Sequence, residues 1–189
     1  MQDDQTTLNG YPGQCDSRFA DLTHELPVQE CHFVRQPNGF SWGAACFSMV
    51  LKVLELTSAI PPWSECITLL HANDQQGTST HDLEQALGLV AKKNDLAIES
   101  LESATVKDLK RLNGDNWVVI VSFREPVEKT GHFAVLQAIN DHAIMFADPF
   151  YGRCSILELE DFDWNTQFET PPRSGWFCAL RSKVCARPS

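Results

Sequence analysis

The chain has 189 residues, with 15 Lys and Arg against 25 Asp and Glu and a net charge of −10. Apolar residues make up 43% and charged residues 21%, a globular composition that excludes disorder and fibrous repeats. The acid excess, with a pI near 4.9, excludes nucleic-acid binding through a basic face and charge-held attachment to anionic lipid.

The length predicts one domain with a real core, over 25–189, preceded by a lead-in over 1–24 that has no sustained periodicity. No apolar run approaches the roughly 20 residues that span a bilayer. The first residues are acidic and carry no secretory pattern, which predicts a cytoplasmic protein that is not held to a membrane.

The first element is a helix over 42–56. Ser41 stands at its N-cap. Gly43, Ala44 and Ala45 are followed by Phe47, Met49, Val50, Leu51, Val53 and Leu54, apolar on nearly every side, so this helix is buried. Pro61 and Pro62 separate it from a short helix over 64–71. A third helix over 79–93 carries Leu83, Ala86, Leu87 and Val90 as its stripe, with Ser79 and Asp82 at capping-box spacing. A fourth over 105–112 has Thr105 and Asp108 at the same spacing and Asn113-Gly114 as its stop. Strands follow at 117–123, 132–139, 143–146, 153–157 and 176–180, with a hairpin at 140–142. Helices first and strands later predict an α+β fold, an antiparallel sheet with helices on one side.

Seven cysteines, at 15, 31, 46, 66, 154, 178 and 185, include no Cys-x-x-Cys pair. They predict reduced thiols, mostly small buried hydrophobes, and neither a disulfide framework nor a metal site. No cofactor is implied.

Three parts of an acyl-transfer site stand in order. Gln36 precedes the buried helix by six residues, where its amide can donate to an oxyanion at the helix N-terminus. His132 opens a strand after Gly131, and Asp148 follows at the end of the next strand, placed to orient the imidazole.

The run Gln36-x5-Trp42-Gly43-Ala44-Ala45-Cys46-Phe47-Ser48-Met49-Val50-Leu51 resembles the amino-terminal signature of the double-glycine leader peptidases. These are papain-like cysteine peptidases of bacteriocin exporters, and their signature is a Gln, five residues, a Cys, then Gly-x-Ala. The run Gly131-His132-Phe133-Ala134-Val135-Leu136, followed by Asp148-Pro149 and Gly152-Arg153, resembles the second signature of this bacterial family. The resemblance covers roughly 26–180. It implies a papain-like fold, a helical lobe followed by an antiparallel sheet lobe. Gln36 then falls at the oxyanion position, His132 at the base position and Asp148 at the orienting position. The nucleophile position holds Trp42, and indole attacks no carbonyl. Haemolysin-type exporters carry a comparable degenerate domain that docks cargo.

Two functional readings follow. One is a catalytically degenerate domain that holds a peptide or protein segment in the former cleft. Gly131, Phe133, Phe150 and Tyr151 would line that cleft, and Trp42 would stack on His132. The other is an enzyme of altered chemistry, a hydrolase or acyltransferase using Cys46 or Cys31, or a His132–Asp148 general base. Cys46 lies one turn beyond Trp42, away from the helix terminus that would favour a thiolate. A third reading rests on charge alone: an acidic protein that meets a basic partner.

Overall fold

The computed structural model describes residues 17–19, 25–125, 130–162, 164–166 and 173–183. Most of the lead-in, with Cys15 and Cys185, lies outside them. Four helices are followed by, and interleaved with, strands: α1 (Trp42–Val53), α2 (Trp63–Leu69), α3 (Thr80–Lys93), β1 (Leu96–Leu101), α4 (Val106–Gly114), β2 (Val118–Arg124), β3 (Gly131–Ile139), β4 (Ala143–Asp148), β5 (Gly152–Glu158), β6 (Asn165–Thr166), β7 (Arg173–Ser174) and β8 (Phe177–Ser182). Six strands form one antiparallel sheet in the order β1-β8-β2-β3-β4-β5, and β6 pairs with β7 separately.

The apolar-all-round sequence of α1 has the expected consequence: Gly43 to Leu51 are all buried. Val118, Ile120, Cys178 and Leu180 share a core with α1, with Cys66 and Leu70 at α2, and with Leu83 and Leu87 of α3. Their neighbours Val119, Val121, Phe177 and Ala179 point to the opposite face, as strand alternation requires. There they meet Leu109 and Leu112, so α4 covers the second face. Helices on both faces replace the one-sided arrangement expected from the element order.

Several boundaries also differ. Asn113 and Gly114 sit inside α4 instead of stopping it; Asn113 is buried and its Nδ2 donates to the Gln137 carbonyl at 3.3 Å. The chain turns instead at Asn116, with φ 58°. Strand β1 has no counterpart in the sequence reading, because Leu-Ala-Ile-Glu-Ser-Leu contains a single β-branched residue. Ser41 does not cap α1: its side chain makes no cap bond, and its buried Oγ has no partner among the described residues. The Thr105–Asp108 box is formed as its spacing predicts, and Ser79 caps α3 by accepting from the Asp82 N–H at 3.0 Å.

The segment entering α1 is strapped across the sheet. Gln137, fully buried where the β3–β4 register shifts, accepts from Val28 N–H at 2.9 Å and donates to the Val28 carbonyl at 2.9 Å. Its Nε2 also reaches the Arg153 carbonyl at 3.2 Å. Arg153 Nε pairs with Glu30 at 3.1 Å. Further along, Gln36 N–H donates to the Pro149 carbonyl at 3.1 Å. These contacts carry Gln36 to the end of β4.

Candidate active site

The start of α1, the start of β3 and the end of β4 meet at one corner of the sheet. Asp148 ends β4, one residue beyond the Val135–Ala147 pair. His132 is 5% exposed, and its Nε2 donates to Asp148 Oδ2 at 2.9 Å. The other carboxylate oxygen accepts from the Phe150 and Tyr151 amides at 2.8 and 3.0 Å. Asp148 therefore holds the turn and orients the imidazole at once. With Nε2 committed to the carboxylate, Nδ1 of the neutral ring is left as the acceptor.

Trp42 opens α1. Its ring lies 5.7 Å from the His132 ring at 53°, and Phe123 meets the same imidazole edge-on at 5.5 Å and 83°. Beneath the indole is Gly77, at φ +67°, where a Cβ would come within 3.0 Å of Cζ2. The turn that presents it is closed by paired backbone bonds between Asn73 and Gly77, and Asn73 Oδ1 accepts from the amides of Gln75 and Gln76. Gly43 leaves room for Thr78, whose side chain would lie 2.7 Å from a Cβ at that position.

Gln36 is buried at the same corner through its bond to Pro149. Its Nε2 donates to the Asn38 carbonyl at 2.7 Å, and its Oε1 has no partner among the described residues. The hydroxyls of Ser41 and Thr78 are likewise buried without a partner. Such polar atoms are costly to leave unpaired and mark where an incoming group would find hydrogen bonds.

Cys46 is fully buried one turn along α1. Burial pushes its thiol well above the ordinary range, and the nearby Asp148 charge pushes it further. Cys31 is exposed on the strap. Phe133 turns away from the corner into the α1-side core, 3% exposed and edge-on to Trp176 at 5.8 Å. Gly131 is half-buried at the start of β3. Phe150 is 49% exposed and meets the half-buried Tyr151 ring edge-on at 4.9 Å. Of the remaining histidines, His71 pairs with Asp82 at 2.9 Å and His81 with Gln85 at 2.9 Å.

One participant escaped the sequence reading. Glu125 follows β2 and is 4% exposed, and its Oε1 accepts from the Tyr151 hydroxyl at 2.6 Å. A lone Glu at a strand end reads as a solvated charge, so no local signal singles it out.

Helices leading into an antiparallel sheet, with a His–Asp pair facing the first turn of the central helix, define a papain-like cysteine peptidase fold. The profile of the peptidase C39 family matches residues 30–168. The chain belongs to that family. Solved structures agree in fold. A double glycine motif protease from an AMS/PCAT transporter, in complex with the leader peptide, superposes with a TM-score of 0.57 at 16% identity, covering 85% of this chain and 96% of that one. The peptidase domain of Streptococcus ComA, a bifunctional ABC transporter involved in quorum sensing, gives 0.56 at 18%, covering 79% and 97%. A C39-like peptidase from Bacillus anthracis gives 0.57 at 12%, covering 85% and 100%. No curated protein matches the chain.

Proposed function

We propose that this chain is a catalytically degenerate C39 domain that binds a peptide segment in the former active-site cleft. The observation that carries the reading is Trp42. By its resemblance to the family signature it falls at the place of the nucleophilic cysteine, and its indole is seated between Gly77 and His132. An indole offers no free heteroatom lone pair to attack a carbonyl, and its N–H is too weak an acid for His132 to deprotonate. Gln36, His132 and Asp148 keep the oxyanion, base and orienting positions, which now frame a binding site. The solved relative holding a leader peptide supports a peptide as the occupant. Phe150 and Tyr151 supply an apolar wall, and the unpaired hydroxyls of Ser41 and Thr78 supply polar contacts. Cys31, Cys46, Cys66 and Cys178 are free thiols, which supports a cytoplasmic setting.

The intact His132–Asp148 pair is the one feature that favours an enzyme of altered chemistry, through general-base action on a bound nucleophile. One experiment separates the two. A synthetic double-glycine leader peptide is titrated into the protein by calorimetry, and the mixture is then incubated and read by mass spectrometry. Binding with the peptide left intact, and with affinity retained in His132→Ala, is the expected result. Cleavage or acyl transfer that disappears in His132→Ala would establish the enzyme instead, and absence of binding would remove the peptide reading.

A further inference from the structure

We propose that Glu125 and Tyr151 are positioning residues for the His132–Asp148 pair. The proposal rests on the reading of that pair as part of the frame of the cleft. Asp148 divides its two oxygens: Oδ2 takes the His132 proton, and Oδ1 takes the backbone N–H groups of Phe150 and Tyr151. The orientation of Asp148 therefore depends on where the turn after β4 sits. Tyr151 ties that turn to the other side of the site, because its hydroxyl donates to Glu125 Oε1 at 2.6 Å. Glu125 is itself held at the end of β2, where its N–H donates to the Thr130 carbonyl at 2.8 Å, next to the strand that begins at Gly131 and carries His132.

Glu125 after β2 and Tyr151 after β4 are thus joined by a carboxyl–phenol bond that has no part in the sheet's own ladder. A surface tyrosine would gain little from such a bond. Here Glu125 is almost fully buried, where a carboxyl group is costly unless it is hydrogen-bonded, and the Tyr151 phenol supplies one such bond. The same ring supports Phe150, the exposed aromatic of the cleft wall, edge-on at 4.9 Å. A ligand pressing on Phe150 thereby acts on the turn that holds Asp148.

The test reads the His132 Nε2–H directly. Its exchange with water is measured by nitrogen-15-edited NMR on the full chain without ligand, in Tyr151→Phe, Glu125→Ala and Glu125→Gln. Exchange should accelerate about tenfold in Tyr151→Phe and in Glu125→Ala, the equivalent of one lost hydrogen bond. Glu125→Gln keeps an acceptor oxygen for the phenol and should stay close to the parent rate. If Tyr151→Phe leaves the exchange rate unchanged, or if Glu125→Gln is as fast as Tyr151→Phe, the proposal is overturned. Should Glu125→Ala fail to fold, the contrast between the two conservative variants decides. Because no ligand is involved, this outcome is independent of the calorimetric test of peptide binding.

Discussion

The Trp42 indole and Gly77 fit as a ring and its floor. Gly77 lies in left-handed backbone under the six-membered ring, with space for a hydrogen where any other residue carries a carbon. The turn from Asn73 to Gly77 is built by its own hydrogen bonds, so the floor is prepared and not merely pushed aside. This pairing is what a tryptophan settled in its place requires, and it makes Trp42 part of the local architecture.

Replacing Gly77 should expose that fit. Gly77→Ala adds a left-handed backbone penalty of roughly 1–2 kcal/mol and a contact with the indole. In Trp42→Ala the contact is gone and only the backbone penalty remains. A double-mutant cycle by urea unfolding should therefore return a coupling on the order of 1 kcal/mol. Additive losses would mean that the ring does not rest on residue 77.

A thiol put back at the head of α1 should be activated. In Trp42→Cys the sulfur would face His132 and the free N–H groups of the first helical turn, both of which favour a thiolate. Iodoacetamide at pH 6 should label the introduced thiol at least about tenfold faster than exposed Cys31. Equal rates would show that residue 42 does not occupy the nucleophile's place.

The unmodified protein should give a graded labelling pattern. Burial pushes up the thiols of Cys46, Cys66 and Cys178, with a contribution from Glu84 at Cys178. These three should react only when the fold opens, whereas exposed Cys31 should react in the folded protein. Rapid labelling of Cys46 near pH 6 would restore it as a candidate nucleophile.

The start of α4 makes a pH-dependent contribution. The Thr105 hydroxyl and then the Thr105 N–H hold the Asp108 carboxyl below its usual 3.8. A depressed carboxyl stabilises the fold above its unfolded-state pKa, and the benefit is lost as pH falls through the folded-state value. Asp108→Ala should lower the melting temperature by about 3 °C near neutral pH. The gap should close below pH 3.8; a gap that persists in acid would assign the loss to packing.

Much of the site was legible because it is written locally. Gln36, Trp42, His132 and Asp148 stand in two ordered signatures, and the structure brings their elements to one corner. The nearly continuous apolar run of α1 likewise fixed its burial. What escaped depends on contacts distant in sequence. Glu125 acquires meaning only from Tyr151, 26 residues away, and Phe133 faces the core because strand alternation sets it opposite to His132. Strand β1 lacks β propensity of its own and is strand because β8 pairs with it along its length. Ser41 shows the limit of capping rules: the residue type suits an N-cap, yet its hydroxyl makes no cap bond.

The position of β8 has a consequence for synthesis. This strand is the last of the sheet to leave the ribosome, yet it lies between β1 and β2 and pairs with both. Until it is inserted, β1 has no partner strand and the β2–β5 sheet keeps an open edge at β2. The domain cannot close from its amino terminus onward; a chain halted before Phe177 would be a template for aggregation, and a natural client for chaperones.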